Sequence, residues 1–410
     1  MIPREILKKI RQIEIRPNRI VTETLAGISL LGLLLLLCSC ATTSQSSVVV
    51  RAAELPAEAI LNRGAGRGDF LYVTLHLQDG EDLQFLVDTG SPYTALEKSL
   101  ESKLGKRLGS AEIPAPWYGS KLDLRGYRSP RLYLGNTCLL MGDRVLAGDF
   151  QIWDGPHVSG ILGMDCLRHY CVQLDFATGK IQLLDPDNLK TDELGKAFPL
   201  TFSKEGYVNI RGTLEGIEDA VSEIDTGTPS DGALEKKLFQ QELQKQKVAV
   251  AKEYKTSTGK TGSEARFPNA MFAGGNYTNL TLNESPVGNI IGLGFLARHL
   301  VTLDFPKRTM FLKQTSIGPL VDENMEAALE FMRDMKEKGK VPGWPQNEKG
   351  MIFPEAYSDS GPINFSARRF GDSSTYHYTV SRPSKDSPWK LERAWRTGQN
   401  GNTIEEYSVP

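Results

Sequence analysis

The chain alternates apolar and polar residues at period two over much of its length. Phe70-Leu71-Tyr72-Val73-Thr74-Leu75-His76-Leu77 and Tyr207-Val208-Asn209-Ile210 read as strands that turn one face to a core. Short helices are expected after Ala95 and Ala233, and again after Gly163 and Gly292, with β-structure and Gly-rich turns making up most of the rest. Beyond residue 316 the period changes. Met325, Leu329, Met332 and Met335 fall near one face of a helix that Gly339 and Pro342 end. Alternating segments follow at Ile363 to Arg368, Thr375 to Ser381, Trp389 to Arg396 and Thr403 to Val409, with Asn400-Gly401 as a hairpin turn. Residues 320–410 are therefore expected to form a small α+β module, a helix cradled by a curled sheet.

The pattern also repeats. FLVDTGSPYTALEKSL, Phe85 to Leu100, returns as SEIDTGTPSDGALEKKL, Ser222 to Leu238, and GILGMDCLRHYCVQLDF from Gly160 matches NIIGLGFLARHLVTLDF from Asn289 without gaps. One Asp-Thr-Gly-Ser/Thr string arises by chance in roughly one chain of this length per hundred. Two, each followed by Pro and then Ala-Leu-Glu-Lys, mark a duplicated unit at residues 66–186 and 197–315, joined by the segment Asp187 to Lys196. The alignment removes several decoys. Cys166 and Cys171 fall on Phe295 and Leu300, so they read as buried apolar positions, and Gly292-Leu293-Gly294-Phe295 belongs to the repeat rather than to a carboxylate-binding loop.

The N-terminal region differs from this body. Six basic residues, Arg4 to Arg19, precede the apolar run Ile28 to Cys38, which closes on Ser39-Cys40-Ala41. The run is shorter than the about 20 residues a membrane span needs. A basic region, a short apolar core and small residues read as a secretory signal over residues 1–39. Leu37-Cys38-Ser39-Cys40 resembles a bacterial lipobox, which implies cleavage before Cys40 and lipid on its thiol; an uncleaved short anchor is the other reading. Both put the body in the cell envelope, outside the cytoplasm and tethered to a membrane, with residues 40–65 as a linker. Removing residues 1–39 takes away six basic and three acidic side chains, moving the net charge from −2 to −5 and weighing against nucleic-acid binding. Only Cys138, Cys166 and Cys171 remain beyond Cys40, so cysteine does not define the fold.

The duplication has a chemical reason. Two carboxylates about 3 Å apart cannot both ionise, so they share a proton and act as one unit. The charged member can take a proton from water while the protonated member donates to an amide oxygen. One Asp from each copy, Asp88 and Asp225, would meet on a pseudo-twofold axis. Gly after each Asp-Thr is expected to permit a positive-φ turn.

Here the chain resembles the retropepsin and pepsin class of aspartic peptidases. The likeness rests on Asp88-Thr89-Gly90-Ser91 with Ile161-Leu162-Gly163, and on Asp225-Thr226-Gly227-Thr228 with Ile290-Ile291-Gly292. It implies a mainly β fold, two tandem retropepsin-like β-barrel lobes forming a bilobal pseudo-dimer, with Asp88 and Asp225 catalytic and no metal or cofactor. It further implies that Thr89 and Thr226 interlock across the axis, and that a hairpin flap closes over a peptide or protein substrate. By position, Trp117 and Tyr118 in copy one and Ser257 and Thr258 in copy two are flap candidates, with an ordinary surface hairpin the alternative for each. Copy two departs from the family pattern at Glu223, which is either buried near the pair or turned to solvent.

An aspartic endopeptidase is the leading expectation, monomeric because the join between copies is short. A catalytically silent envelope protein that binds peptides is the alternative, and pairing of each lobe with its equivalent in a second chain is a third. The tether has its own test. Cys40→Ala is expected to abolish incorporation of radiolabelled fatty acid, leaving the protein released or uncleaved; an unlabelled wild type whose mature chain begins elsewhere would refute lipidation.

Overall fold

The architecture comes from a computed structural model that describes residues 55–115, 120–149, 158–250, 252–255, 261–286, 288–341, 350–356, 362–369, 374–398 and 402–409. It is mainly β, and the two sequence copies are built alike. In copy one, Asp82–Val87 pairs antiparallel with Tyr72–Leu77 and parallel with Gly160–Leu162, which also pairs antiparallel with Ala95–Glu97. In copy two, Val221–Asp225 lies parallel to Asn289–Gly292, which pairs antiparallel with Gly232–Glu235. A one-turn helix follows each glycine, Met164–Leu167 and Leu293–Leu296. After the Ala-Leu-Glu strand, copy one makes a 3-10 helix, Lys98–Lys103, and copy two the α-helix Lys236–Gln246.

The inward positions of these strands, among them Leu75, Phe85, Val87, Ile224 and Ile291, are buried in one apolar core that runs through both copies. Alternation in the sequence therefore reports true faces. Among the described residues the hydrogen bonding of each sheet runs in linear order from one edge strand to another, in curled sheets compatible with a bilobal β fold.

A third sheet ties the copies together. Its order is Ala57–Ile60, Lys180–Leu184, Cys171–Asp175, His299–Asp304, Thr309–Gln314 and Lys196–Pro199, all neighbours antiparallel. Cys171–Asp175 and His299–Asp304 are equivalent strands of the two copies and pair with each other about Gln173 and Thr302, whose side chains are hydrogen-bonded at 2.9 Å. The copies thus pair within this chain. Ala57–Ile60 corrects the reading of residues 40–65 as linker, and Lys196–Pro199 is its symmetry mate at the end of the segment between copies. Four residues are too few for alternation to be legible, and their partners lie far along the chain.

Residues after 320 form a separate cluster. Helix Glu323–Glu337 begins at Asp322, whose Oδ1 accepts the Met325 amide at 3.0 Å. Met325, Ala328, Met332 and Met335 are buried against Ile363, Phe365, Tyr378, Val380 and Leu391 of a five-stranded antiparallel meander. The four expected strands appear as Ile363–Arg369, Thr375–Ser381, Lys390–Thr397 and Thr403–Tyr407. Gly350–Ala356 is a fifth that Pro354 concealed, since proline argues against a strand and here sits at a break in register. Leu329 is half-buried beside the Met stripe. The turn Asn400-Gly401 lies outside the described residues, though Gly398 donates to the Asn402 carbonyl at 3.0 Å across it.

Met332 is fully enclosed between helix and sheet. Met332→Ala is expected to cost this unit about 2–5 kcal/mol. Amide exchange should accelerate in the strands from Ile363 onward while residues Asp88 to Ser91 keep their protection.

Candidate active site

Both Asp-Thr-Gly strings emerge from the same local geometry. Asp88 follows Asp82–Val87, its amide held by the Leu162 carbonyl at 3.0 Å, and Asp225 ends Val221–Asp225 opposite Gly292. Each chain then turns so that the amide two residues on donates to the carboxylate, Gly90 to Asp88 Oδ1 and Gly227 to Asp225 Oδ1, both at 2.8 Å. Neither glycine has positive φ, so the expectation of a left-handed turn is corrected. They are glycine for lack of space. A Cβ on Gly90 would lie 2.6 Å from Asp225 Oδ1, and one on Gly227 would lie 2.6 Å from Asp88 Oδ1. Each loop is therefore pressed against the other copy's carboxylate.

Thr89 and Thr226 lock this contact. The Thr89 amide donates to Thr226 Oγ1 and the Thr226 amide to Thr89 Oγ1, both at 3.0 Å. Each hydroxyl then donates across the axis, Thr89 to the Ile224 carbonyl at 2.8 Å and Thr226 to the Val87 carbonyl at 2.7 Å. The strings Ile161-Leu162-Gly163 and Ile290-Ile291-Gly292 pack behind the loops. A Cβ on Gly163 would come within 2.5 Å of the Tyr93 carbonyl, and one on Gly292 within 2.4 Å of the Ser230 carbonyl.

The two carboxyls differ in their donors. Asp225 accepts from Gly227 and also from Thr228 Oγ1 at 2.8 Å, whereas Ser91 Oγ, the equivalent hydroxyl, donates to the Tyr93 carbonyl at 2.8 Å. Asp88 and Asp225 are 2% and 0% exposed. Burial first, then the charge of Asp225 and a hydrogen bond with it, push the Asp88 carboxyl up to about 7. Asp225 thus has two fixed donors and Asp88 one.

Other expected residues fall into three groups. Trp117 and Tyr118, Ser257 and Thr258, and Cys40 lie outside the described residues. The described strands on either side of the flap candidates are paired, Arg107–Ala115 with Ser120–Arg128 and Lys252–Lys255 with Thr261–Phe272. Glu223 is buried, not solvent-facing. Cys166 and Cys171 are buried free thiols, and burial pushes Cys171 up to about 12. Among the described residues no three His, Cys, Asp or Glu side chains are placed to hold a metal ion.

Sequence reasoning missed one brace of the site. Arg298 is fully buried and gives Nη2 and Nε to Asp231 Oδ1 at 2.7 and 3.1 Å, while Asp231 Oδ2 accepts the Thr281 amide at 2.7 Å. Burial raises Asp231, and Arg298 opposes the shift. Asp231 lies in the loop that carries Asp225, so the pair stiffens it. The signal was present: an arginine stands inside the apolar frame FLARHLV, where copy one has His169.

Two cavities, of about 700 and 820 Å³, lie between the duplicated body and the C-terminal unit; neither is lined by Asp88 or Asp225, though the larger reaches Pro229, Ser230 and Asp231 behind the loop.

No protein-family model matches the chain, and no curated protein matches it. Among solved structures it is similar to basic 7S globulin from soybean, at 13% identity and a TM-score of 0.40 over 64% of this chain and 95% of that one.

The Asp88 shift generates a test of the pair itself. Its folded carboxyl, at about 7, titrates above the unfolded value of 3.8, so its contribution to stability is complete below the unfolded value and is lost as pH rises through about 7. Asp88→Asn has no such loss. Its melting temperature is expected to overtake wild type by about 5 °C as pH rises from about 5 to 8; parallel pH profiles for the two proteins would show that Asp88 is not held neutral.

Proposed function

We propose that the protein is an aspartic-type endopeptidase with one composite site, in which Asp88 and Asp225 activate a water against a peptide bond. The observation that supports this most directly is the pair of buried carboxyls, each fixed by its own glycine amide and pressed against the other's loop by the Thr89–Thr226 lock.

The chemistry follows from the proton inventory. Asp225, ionised, takes a proton from the attacking water as Asp88 gives its proton to the amide oxygen, so a carbon–oxygen bond forms without a free oxyanion. In the second step a hydroxyl of the tetrahedral intermediate returns a proton to Asp88, the carbon–nitrogen bond breaks, and Asp225 passes its proton to the departing nitrogen. Both carboxyls end as they began. The preorganised donors cost no reorganisation as charge shifts between them. The segments 116–119 and 256–260, each joining two paired strands, are the proposed flaps, and an extended peptide or protein chain is the proposed substrate. The envelope location, through lipid on Cys40, belongs to the same reading and rests on the N-terminal pattern.

Asp88→Asn and Asp225→Asn are each expected to lower kcat for peptide cleavage by about 10³-fold or more, and the double variant to be scarcely worse than either, because the pair acts as a unit. Wild-type activity should fall as pH rises through about 7, where Asp88 loses its proton. Cleavage that survives both substitutions would refute this assignment, and a wild type that binds peptides without cutting them at any pH would establish the silent binding protein instead.

A further inference from the structure

The two copies brace their Asp loops by different means. In copy two the carboxylate comes from the loop itself, as Asp231, and is paired with Arg298. In copy one Thr94 stands in that place, and the carboxylate comes from the helix behind it, as Asp165. A glycine, Gly294, occupies the equivalent of Asp165 in copy two, where an added Cβ would meet the Asp231 amide at 3.0 Å. The same spot between loop and helix is thus filled once from each side. Copy two also carries an extra residue there, Gly232, at φ +153°.

Asp165 makes contacts that lead to the site. Its Oδ1 accepts both the amide and the hydroxyl of Thr94, each at 2.7 Å. With its single proton committed to Asp165, the Thr94 hydroxyl can only accept from Gly163, which donates its amide at 3.1 Å. Gly163 is wedged against Ser91 and Tyr93, and the preceding carbonyl, of Leu162, holds the Asp88 amide at 3.0 Å. The helix adds two more bonds to the loop, Met164 amide to Ser91 carbonyl at 2.8 Å and Asp165 amide to Pro92 carbonyl at 3.1 Å. Asp165 Oδ2, by contrast, is buried without a hydrogen-bond partner beside Gly142. Among the described residues no ion pair holds this carboxyl as Arg298 holds Asp231; burial pushes it up to about 6, with the hydrogen bonds from Thr94 and the charge of Arg168 opposing. A buried carboxyl oxygen without a partner calls for a reason in the surrounding structure.

We infer that Asp165 is a positioning residue for Asp88, fixing through Thr94 and Gly163 the loop that presents the Asp88 carboxyl to Asp225. The inference rests on the endopeptidase reading for its kinetic consequence and on geometry alone for its structural one. Asparagine can accept both Thr94 donors through its own Oδ1, so it should substitute; leucine cannot, and it orphans the Thr94 amide.

The test uses the full chain with Asp165→Asn, Asp165→Leu and Thr94→Val, reading kcat and KM on a peptide substrate alongside amide exchange at residues Asp88 to Gly163. Asp165→Leu and Thr94→Val are expected to lower kcat by about 10²-fold with KM little changed, as a misplaced reacting group does. Asp165→Asn should stay near wild type. Exchange at the Asp88 and Gly163 amides should accelerate in the first two variants and not in the third. Retained kcat in both Thr94→Val and Asp165→Leu, or an Asn variant as impaired as the Leu one, would overturn the inference. Should Asp165→Leu not fold, Thr94→Val decides. A wild type without cleavage would sink the endopeptidase reading, and exchange would then decide positioning by itself: unchanged rates at Asp88 and Gly163 in Thr94→Val would overturn it.

Discussion

Four hydrogen bonds between Thr89, Thr226 and the backbone of the opposite copy carry the organisation of this molecule. All four are buried, and breaking one side would leave donors unpaired at a cost of about 1–3 kcal/mol each. Their geometry requires the two loops to meet head-on, and that meeting forces the rest. It leaves no room for side chains at positions 90 and 227, it buries Asp88 and Asp225 side by side, and it raises the Asp88 carboxyl. The chemistry proposed for the site is a consequence of that closeness.

The six-stranded sheet on which both copies rest is the second constraint. Cys171–Asp175 and His299–Asp304 pair directly, so the axis relating the copies passes through a continuous hydrogen-bonded ladder as well as through the threonine lock. Two separate fastenings on one axis resist rotation of one copy against the other, which is what a composite site needs if the carboxyl pair is to keep its spacing. Symmetry stops short of the side chains that support the loops. Asp231 with Arg298 on one side and Asp165 with Thr94 on the other reach the same end with different charge balance, as do the different hydroxyl contacts of Thr228 and Ser91. Such differences give the two carboxyls unequal surroundings within one framework.

The C-terminal unit has its own core and is joined to the body by polar links. Asp322 makes one of them: with one oxygen it caps helix Glu323–Glu337, and with the other it accepts Arg63 Nε at 2.5 Å. Arg63 lies just beyond Ala57–Ile60, so the unit is fastened to the edge strand of the shared sheet. The two cavities lie along this seam.

The sequence alone determined that the chain is a duplication, that Asp88 and Asp225 are equivalent, that an apolar pair and a glycine follow each, and that a Met-lined helix with alternating strands closes the chain. These are properties of local period and of identity between copies, and both can be read without coordinates. What crosses between copies was decided by tertiary structure. Thr89 finds Thr226 at a separation of 137 residues, Gly90 is small because of Asp225, and Glu223 is buried although its own strand permitted either face. Ala57–Ile60 becomes a strand only because Lys180–Leu184 offers it a free edge. Arg298 and Asp165 became legible as braces only when their partners were in place, since a buried charge is explained by what it touches, and no period in the chain encodes that.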